Sequence, residues 1–282
     1  MSGGRLFVVA TPIGNLGDVT LRALEVLRDV PLIAAEDTRM SRRLLVRHGI
    51  ETRMVSYHAR SGPRRAEELL AHLRPGLDLA LVTDAGTPVV SDPGEGLVAA
   101  WAAAGGLVVP VPGASSVLAA VAAAGIAGPR WSFEGFLPRS GRDRRERLAA
   151  IGGDPRGSVV FEAPGRTAAT LRDLAAACGD TRAGAVCREL TKLHETITRG
   201  SLGELAGLAA DGTIPARGEV VIVVGWSAGP GAAEAKADGE AAEAAATAEV
   251  ERLVESGVAR GEAARRVSAT SGIPRRRLYN AP

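Results

Sequence analysis

The stretch "LVTDAGTPVVSDPGEG", residues Leu81–Gly96, holds the change of backbone habit that decides the fold. An apolar run ends at Thr83, small residues and prolines turn the chain, and a helical pattern starts near Gly96. A strand entering a helix through a Gly/Pro turn is one βα unit. Outward from it the unit recurs. β-Branched runs at Leu6–Ala10, Leu32–Ala35, Leu79–Thr83 and Leu107–Val111 read as strands. Leu21–Arg28, Ser41–His48, Arg64–Leu73 and Gly96–Ala104 between and after them read as helices. The alternation predicts a mainly parallel sheet with helices on both faces, and ligands at the carboxyl ends of its strands.

A second block follows Gly125, with the boundary placed at Pro112–Gly125. Trp131–Leu137, Ser158–Glu162, Ala185–Leu190, Glu195–Gly200 and Glu219–Val224 read as strands, and Arg166–Ala177 and Leu202–Ala209 as helices. Several strands follow one another with no room for a crossover helix, which predicts antiparallel pairing. The expected organisation is an α/β domain over 1–115, a second over 116–227, a flexible Ala/Gly/Glu/Pro linker over 228–246, and a small basic helical domain over 247–282. In the last, Val250, Leu253 and Val254 share one face and Ala263, Ala264 and Val267 another, as in two or three short helices of helix-turn-helix type. Residues 258–282 carry six arginines and one glutamate, which suits either a solvated face or contact with RNA.

Composition excludes several classes. A chain of 282 residues has room for two cores, and 46% hydrophobic with 23% charged residues is ordinary for a soluble protein. No apolar run has membrane-spanning length, and "MSGGRLFVVATPIGN" lacks the basic region of a signal peptide, so a cytoplasmic location without membrane contact is expected. Cys178 and Cys187 make no metal or redox spacing and read as small core residues. Of the 34 basic residues only Lys192 and Lys236 are lysines, a bias that matches GC-rich coding. Lysine is a titratable point charge that arginine does not replace, which singles out Lys192; Lys236 lies in the low-complexity stretch.

No Gly-Lys-Ser/Thr phosphate loop, G-x-G-x-x-G turn or G-x-S-x-G elbow is present. The four histidines are scattered, so no metal site is expected. Three loops remain, each following a strand of the first sheet: "ATPIGNLGDVT" (Ala10–Thr20), "DAGTPVVSDPG" (Asp84–Gly94) and "VPGASS" (Val111–Ser116). Together at one sheet edge they predict one ligand touched by several loops. Asp84 and Asp92 oppose a polyphosphate but suit hydroxyl and ammonium groups. A nucleoside carrying an amino acid fits, and S-adenosylmethionine (SAM) is such a molecule. Its sulfonium loses charge on methyl transfer, so Asp84 and Asp92 are expected at the ribose or amino group, or as loop-ordering groups.

These loops, with "AAEDTRMSRRLL" (Ala34–Leu45), "FEGFLPR" (Phe133–Arg139) and "RELTKLHETITRGSL" (Arg188–Leu202), closely resemble the bacterial 16S rRNA cytidine 2′-O-methyltransferases of the tetrapyrrole-methylase superfamily. The match spans roughly residues 5–226, and the basic C-terminal helices resemble that family's small terminal domain. Ser140 and Arg142 stand where many relatives show lysines. The resemblance implies two α/β domains of tetrapyrrole-methylase type with the cofactor cleft between them. It also implies SAM as cofactor, a homodimer, and methylation of a ribose 2′-hydroxyl on a decoding-region cytidine of 16S rRNA or the small ribosomal subunit. SAM is then expected near Pro12 and Gly14, the turn Asp84, Ala85, Gly86, Thr87 and Pro88, Asp92, and Ser115 with Ser116.

A ribose hydroxyl is a poor nucleophile that benefits from a base or a cation on its developing charge. Glu36, Asp37, Glu189, Lys192 and Glu195 are the candidates, with Lys192 favoured as the cation. Alternatively Asp37 or Thr38 caps the following helix, and Glu189 and Lys192 form a solvated pair. Arg39, Arg42, Arg43, Arg139, Arg142, Arg275 and Arg276 are candidates for phosphate contact, or belong to solvated helix faces. Two rival functions stay open: a tetrapyrrole methyltransferase using the same loops, and a non-catalytic RNA-binding ribosome-assembly factor.

Overall fold

The computed structural model describes residues 3–227 and 232–279. The chain begins with β1 (Arg5–Val9), α1 (Leu21–Asp29), β2 (Leu32–Ala35), α2 (Thr38–Arg47), β3 (Met54–Ser56), α3 (Pro63–Leu73), β4 (Leu79–Val82), α4 (Glu95–Ala103), β5 (Leu107–Val111) and α5 (Ser116–Ala124). Thr20 caps α1 by accepting from the Ala23 N–H at 3.1 Å, and Ser115 caps α5 in the same way. The sheet is parallel throughout, in the order β3-β2-β4-β1-β5. Every residue of β2 and β4 is buried, as expected of strands with helices on both faces. The order puts β4, β1 and β5 side by side. Their three Gly/Pro loops therefore emerge together at a switch point of the sheet.

The second sheet contains β6 (Trp131–Phe136), β7 (Gly157–Glu162), β8 (Ala183–Arg188), β9 (Thr196–Ser201) and β10 (Val220–Val224), in the order β6-β7-β10-β8-β9. The expected antiparallel pairing holds for β7 with β10, β10 with β8 and β8 with β9. β6 runs parallel to β7, across a crossover helix α6 (Gly141–Gly153); α7 (Thr167–Cys178) and α8 (Leu202–Ala210) complete this half. α5 packs onto the second sheet, where Val117, Ala120 and Ala124 share a core with Val159, Ala185, Cys187, Val221 and Val223. The two sheets thus form one compact unit ending at Trp226.

Three elements escaped the sequence pattern. β3 is three residues long and only half-buried, too short for a period to show. α5 is nearly all small apolar residues, without an amphipathic signal. α6 buries Arg144, Leu148 and Ile151, so an arginine occupies the first position of its inward stripe. Arg144 is satisfied there by the Pro138 carbonyl, the Thr170 hydroxyl and Asp173, at 2.9, 2.9 and 2.7 Å.

A separate unit follows, with α9 (Ala232–Glu255), α10 (Arg260–Ser271) and α11 (Arg275–Tyr279). Its core contains Ala246, Val250, Ala263, Ala264, Val267 and Leu278. The linker expected over 228–246 is corrected from Ala232 onward, where the chain is helical; residues 228–231 lie outside the described residues. Alanine and glutamate are strong helix formers, which the low-complexity reading disregarded. No helix among the described residues is long and apolar enough to cross a membrane.

Candidate active site

Backbone hydrogen bonds lace the three loops together. Thr11 and Gly86 exchange N–H···O bonds at 2.8 and 3.0 Å, and the Ala10 N–H donates to the Val111 carbonyl at 3.1 Å. The Thr11 hydroxyl donates to the Thr83 carbonyl at 3.1 Å. Beside them open two cavities in the cleft between the sheets.

The first cavity measures about 420 Å³ and lies against Ala85, Gly86, Thr87, Asp92, Ser115 and Ser116 of the first half. The second half supplies Phe136, Phe161, Glu162, Ala163, Pro164 and the segment Gly218–Val221. Phe136 and Phe161 meet edge to face at 5.5 Å, forming an apolar wall. Among the described residues no lysine, arginine or histidine lines this cavity. The second cavity, about 320 Å³, is lined by Pro12, Gly14, Asp84, Arg43 and Lys192 among others. Ala85 and Glu219 border both.

The expected cofactor residues therefore divide. Ala85, Gly86, Thr87, Asp92, Ser115 and Ser116 gather at the first cavity, Pro12, Gly14 and Asp84 line the second, and Pro88 lines neither. The second-sheet residues were missed. Their signal was the small-residue turns "EAPGR" (Glu162–Arg166) and "ARGE" (Ala216–Glu219) at strand ends, which carry no sign that they face the first loops. The backbone is strained on both sides of the cleft. Val89 and Ser91 after β4, and Glu189 and Thr191 after β8, hold positive φ values of 76°, 64°, 53° and 66°. Such conformations cost energy and persist where surrounding contacts impose them.

The acidic candidates near the first sheet are tied into structure. The Asp37 N–H donates to Asp84 Oδ1 at 3.0 Å, and the Asp84 N–H to Glu36 Oε2 at 3.4 Å, so the two carboxylates join the loops after β2 and β4. Asp37 caps α2 by accepting from the Arg39 N–H at 2.8 Å and pairs with the Arg39 guanidinium, which holds its carboxyl down at about 2. Neither Glu36 nor Asp37 lines either cavity, so the capping alternative describes Asp37. Glu195 Oε2 accepts the Thr191 N–H at 2.6 Å and shapes the loop after β8.

Lys192 lines the second cavity together with Arg43. Its Nζ lies 3.0 Å from Glu189 Oε1 and 3.1 Å from Glu219 Oε1. Burial pulls its pKa down, but the two carboxylates outweigh burial and leave it above the ordinary lysine value. It is an ammonium at neutral pH, suited to stabilising negative charge and unsuited to accepting a proton. Among the arginine candidates, Arg39, Arg42 and Arg43 edge a shallow depression beside the second cavity with Leu16, Val46 and Arg47. Arg139 is exposed, and Arg142 pairs with Glu146 at 2.6 Å. Arg275 and Arg276 are exposed on α11 of the separate unit.

Asp92 has an uncommon environment. Burial, reinforced by Glu36 and Asp84 and partly offset by the Thr83 hydroxyl, pushes its carboxyl from 3.8 up to about 6. Between those pH values the folded protein holds a proton that the unfolded chain has lost. Stability therefore falls as pH rises through this window and stays lower above it. Asp92→Asn is expected to raise the ligand-free stability at about pH 7.5 by on the order of 1–2 kcal/mol, after discounting for partial exposure. Thermal melts should show the gain vanish at about pH 4. An unchanged or lower melting temperature at the higher pH refutes it.

Residues 5–206 match the family model for tetrapyrrole (corrin/porphyrin) methylases. The chain is 42% identical over 276 residues to a ribosomal RNA small subunit methyltransferase I of Xylella fastidiosa, covering 98% of each. Among solved structures, a cobalt precorrin-4 methyltransferase superimposes with a TM-score of 0.61 at 18% identity, over 80% of this chain and 96% of that one. A uroporphyrin-III C-methyltransferase of Thermus thermophilus, complexed with S-adenosylhomocysteine, gives 0.56 at 20% identity, over 79% and 97%. At these identities the structures share the fold.

Proposed function

The chain belongs to the tetrapyrrole (corrin/porphyrin) methylase family, and from that premise we propose a SAM-dependent methyltransferase acting on the ribose 2′-hydroxyl of a decoding-region cytidine in 16S rRNA. The observation that carries this reading is the meeting of the two cavities at Ala85 and Glu219, with the Lys192 ammonium on the second. A methyl donor in one and a nucleotide in the other would face each other at that junction, and in-line positioning supplies much of the rate of a displacement.

The first cavity fits SAM. Its volume of about 420 Å³ lies within the range of small-ligand sites, and its lining holds carboxylates and, among the described residues, no lysine, arginine or histidine. A cationic amino-acid tail is compatible with that charge; a polyphosphate is not. The Phe136–Phe161 wall suits an adenine face, and Ser115, Ser116 and the Ala85–Thr87 backbone offer polar partners. Bound there, SAM supplies an electrophilic methyl group. Lys192 stabilises the negative charge growing on the ribose oxygen, and Glu189 positions Lys192. Arg43 and its neighbours Arg39 and Arg42 hold phosphates flanking the acceptor nucleotide. Exposed Arg139, Arg142, Arg275 and Arg276 add sequence-independent attraction to RNA. The reading includes a cytoplasmic homodimer acting on 16S rRNA or the small subunit; exposed Leu21, Leu118 and Leu193 offer apolar surface to a second copy.

Mapping 2′-O-methyl groups in 16S rRNA from cells with and without the gene tests the proposal. One cytidine should lose its methyl group on deletion, and purified protein with labelled SAM should restore it on small subunits. Label entering only a uroporphyrinogen- or precorrin-like acceptor would overturn the RNA assignment.

A further inference from the structure

Lys192 is protonated, so the proton of the acceptor hydroxyl needs another destination. Among the described residues four carboxylates line the two cavities: Asp84, Asp92, Glu162 and Glu219. Asp84 already accepts the Asp37 N–H. Glu162 is almost fully buried and satisfied by the Ala163 N–H at 2.7 Å, the Thr170 hydroxyl at 2.5 Å and Arg166 at 3.4 Å. Asp92 borders the first cavity alone. Glu219 borders both, its side chain is 70% exposed, and only its Oε1 is engaged, with Lys192, among the described residues.

The main chain at Glu219 is held by Glu189, and its side chain by Lys192 through Oε1 alone among the described residues. Its N–H donates to Glu189 Oε1 at 2.8 Å, and its carbonyl accepts the Glu189 N–H at 2.9 Å. Gly218, at φ +80°, packs so closely that a Cβ there would fall 2.6 Å from Glu189 Cγ. Glu189 thus anchors the main chain, while the Glu219 carboxylate pairs with Lys192 through Oε1 and leaves Oε2 unengaged at the junction among the described residues. The charged groups around it are Glu189 and Lys192 after β8, Asp84 and Asp92 after β4, Arg43 on α2, and Glu162 and Arg188, which flank β10 at Val220.

We propose that Glu219 is the general base, taking the 2′-hydroxyl proton on Oε2 while Lys192 holds the oxygen. This rests on the methyltransferase reading above. The hydroxyl loses its O–H bond to Glu219 and gains an O–CH₃ bond. The methyl–sulfur bond breaks with its pair left on sulfur, so one positive charge leaves the donor and one proton leaves the acceptor. The exposed face of Glu219 then passes that proton to water.

Glu219→Gln keeps an oxygen for Lys192 and removes the base. It should lower kcat by about 100-fold or more. The KM for small subunits and the Kd for S-adenosylhomocysteine by calorimetry should stay within about three-fold. The acid limb of the wild-type pH–rate profile should disappear in Glu219→Gln, and Glu219→Asp should recover part of the rate with the limb restored. With only two lysines in the chain, ¹³C-lysine NMR resolves Lys192, whose signal should remain that of an ammonium in both proteins at neutral pH. Glu219→Gln within three-fold of wild-type kcat, a persisting acid limb, or a deprotonated Lys192 would each overturn the assignment. A wild-type protein that binds S-adenosylhomocysteine but methylates no small subunit would instead overturn the RNA reading, and this assignment with it.

Discussion

Lys192→Met is expected to lower kcat for rRNA methylation on the order of 100- to 1000-fold, the usual loss when one preorganised oxyanion-stabilising group is removed. The affinity for S-adenosylhomocysteine should change by less than about two-fold, because Lys192 borders the second cavity and not the first. Lys192→Arg should rescue little. Gly14 already packs against the Lys192 stem, and a planar guanidinium needs a different approach to Glu189 and Glu219. Single-turnover rates beside calorimetric Kd values separate the two effects. A variant with near-wild-type kcat would reduce Lys192 to a structural pair with its two glutamates.

Gly14→Ala should cost about 10- to 100-fold in kcat without touching a charged group, since small misplacements of catalytic groups are costly. A Cβ at position 14 would lie 2.4 Å from Lys192 Cγ and 3.0 Å from both Lys192 Cε and Thr191 Oγ1. The lysine stem has to move, which strains its 3.0 and 3.1 Å links to Glu189 and Glu219. The Thr191 hydroxyl also accepts the Asn15 N–H at 3.1 Å, so the loops after β1 and β8 would separate. Gly62→Ala is the control, having nothing within 4 Å of its Cβ position and φ −69°. Equal activity of Gly14→Ala and Gly62→Ala would show that the contact at Gly14 does not position Lys192.

Apart from β3 and α5, the first-half architecture was legible because its βα units announce themselves locally. The apolar run before Thr83 and the Gly/Pro turn after it need no distant partner to be recognised. The same holds for the loops Ala10–Thr20 and Val111–Ser116. α6 was legible only as the solvated helix face weighed for Arg142, because Arg144 stands where a hydrophobic residue is expected and its partners Thr170 and Asp173 lie about 30 residues away. The helix from Ala232 was hidden by composition, which does not distinguish a flexible Ala/Glu stretch from a helical one.

The active site divides along the same line. Lys192 was selected by residue type, as one of two lysines against an arginine background, and the loops holding Asp84 and Asp92 were selected by their glycines and prolines. Sequence left Asp37 and Glu36 open between catalysis and structure. In the structure the Asp37 N–H donates to Asp84, the Asp84 N–H donates to Glu36, and the Asp37 carboxylate caps α2. Glu219 had only the turn Ala216–Glu219 as a signal, because its significance comes from lying 3.1 Å from Lys192 and on the border of two cavities. The sequence by itself determined the βα repeats and marked the three Gly/Pro loops with their carboxylates, both of which follow from local backbone preference and local charge. Only the tertiary structure decided which carboxylates meet backbone N–H groups and which one borders both cavities beside Lys192, because that depends on the β4-β1-β5 strand order and on contacts between chain segments far apart in sequence.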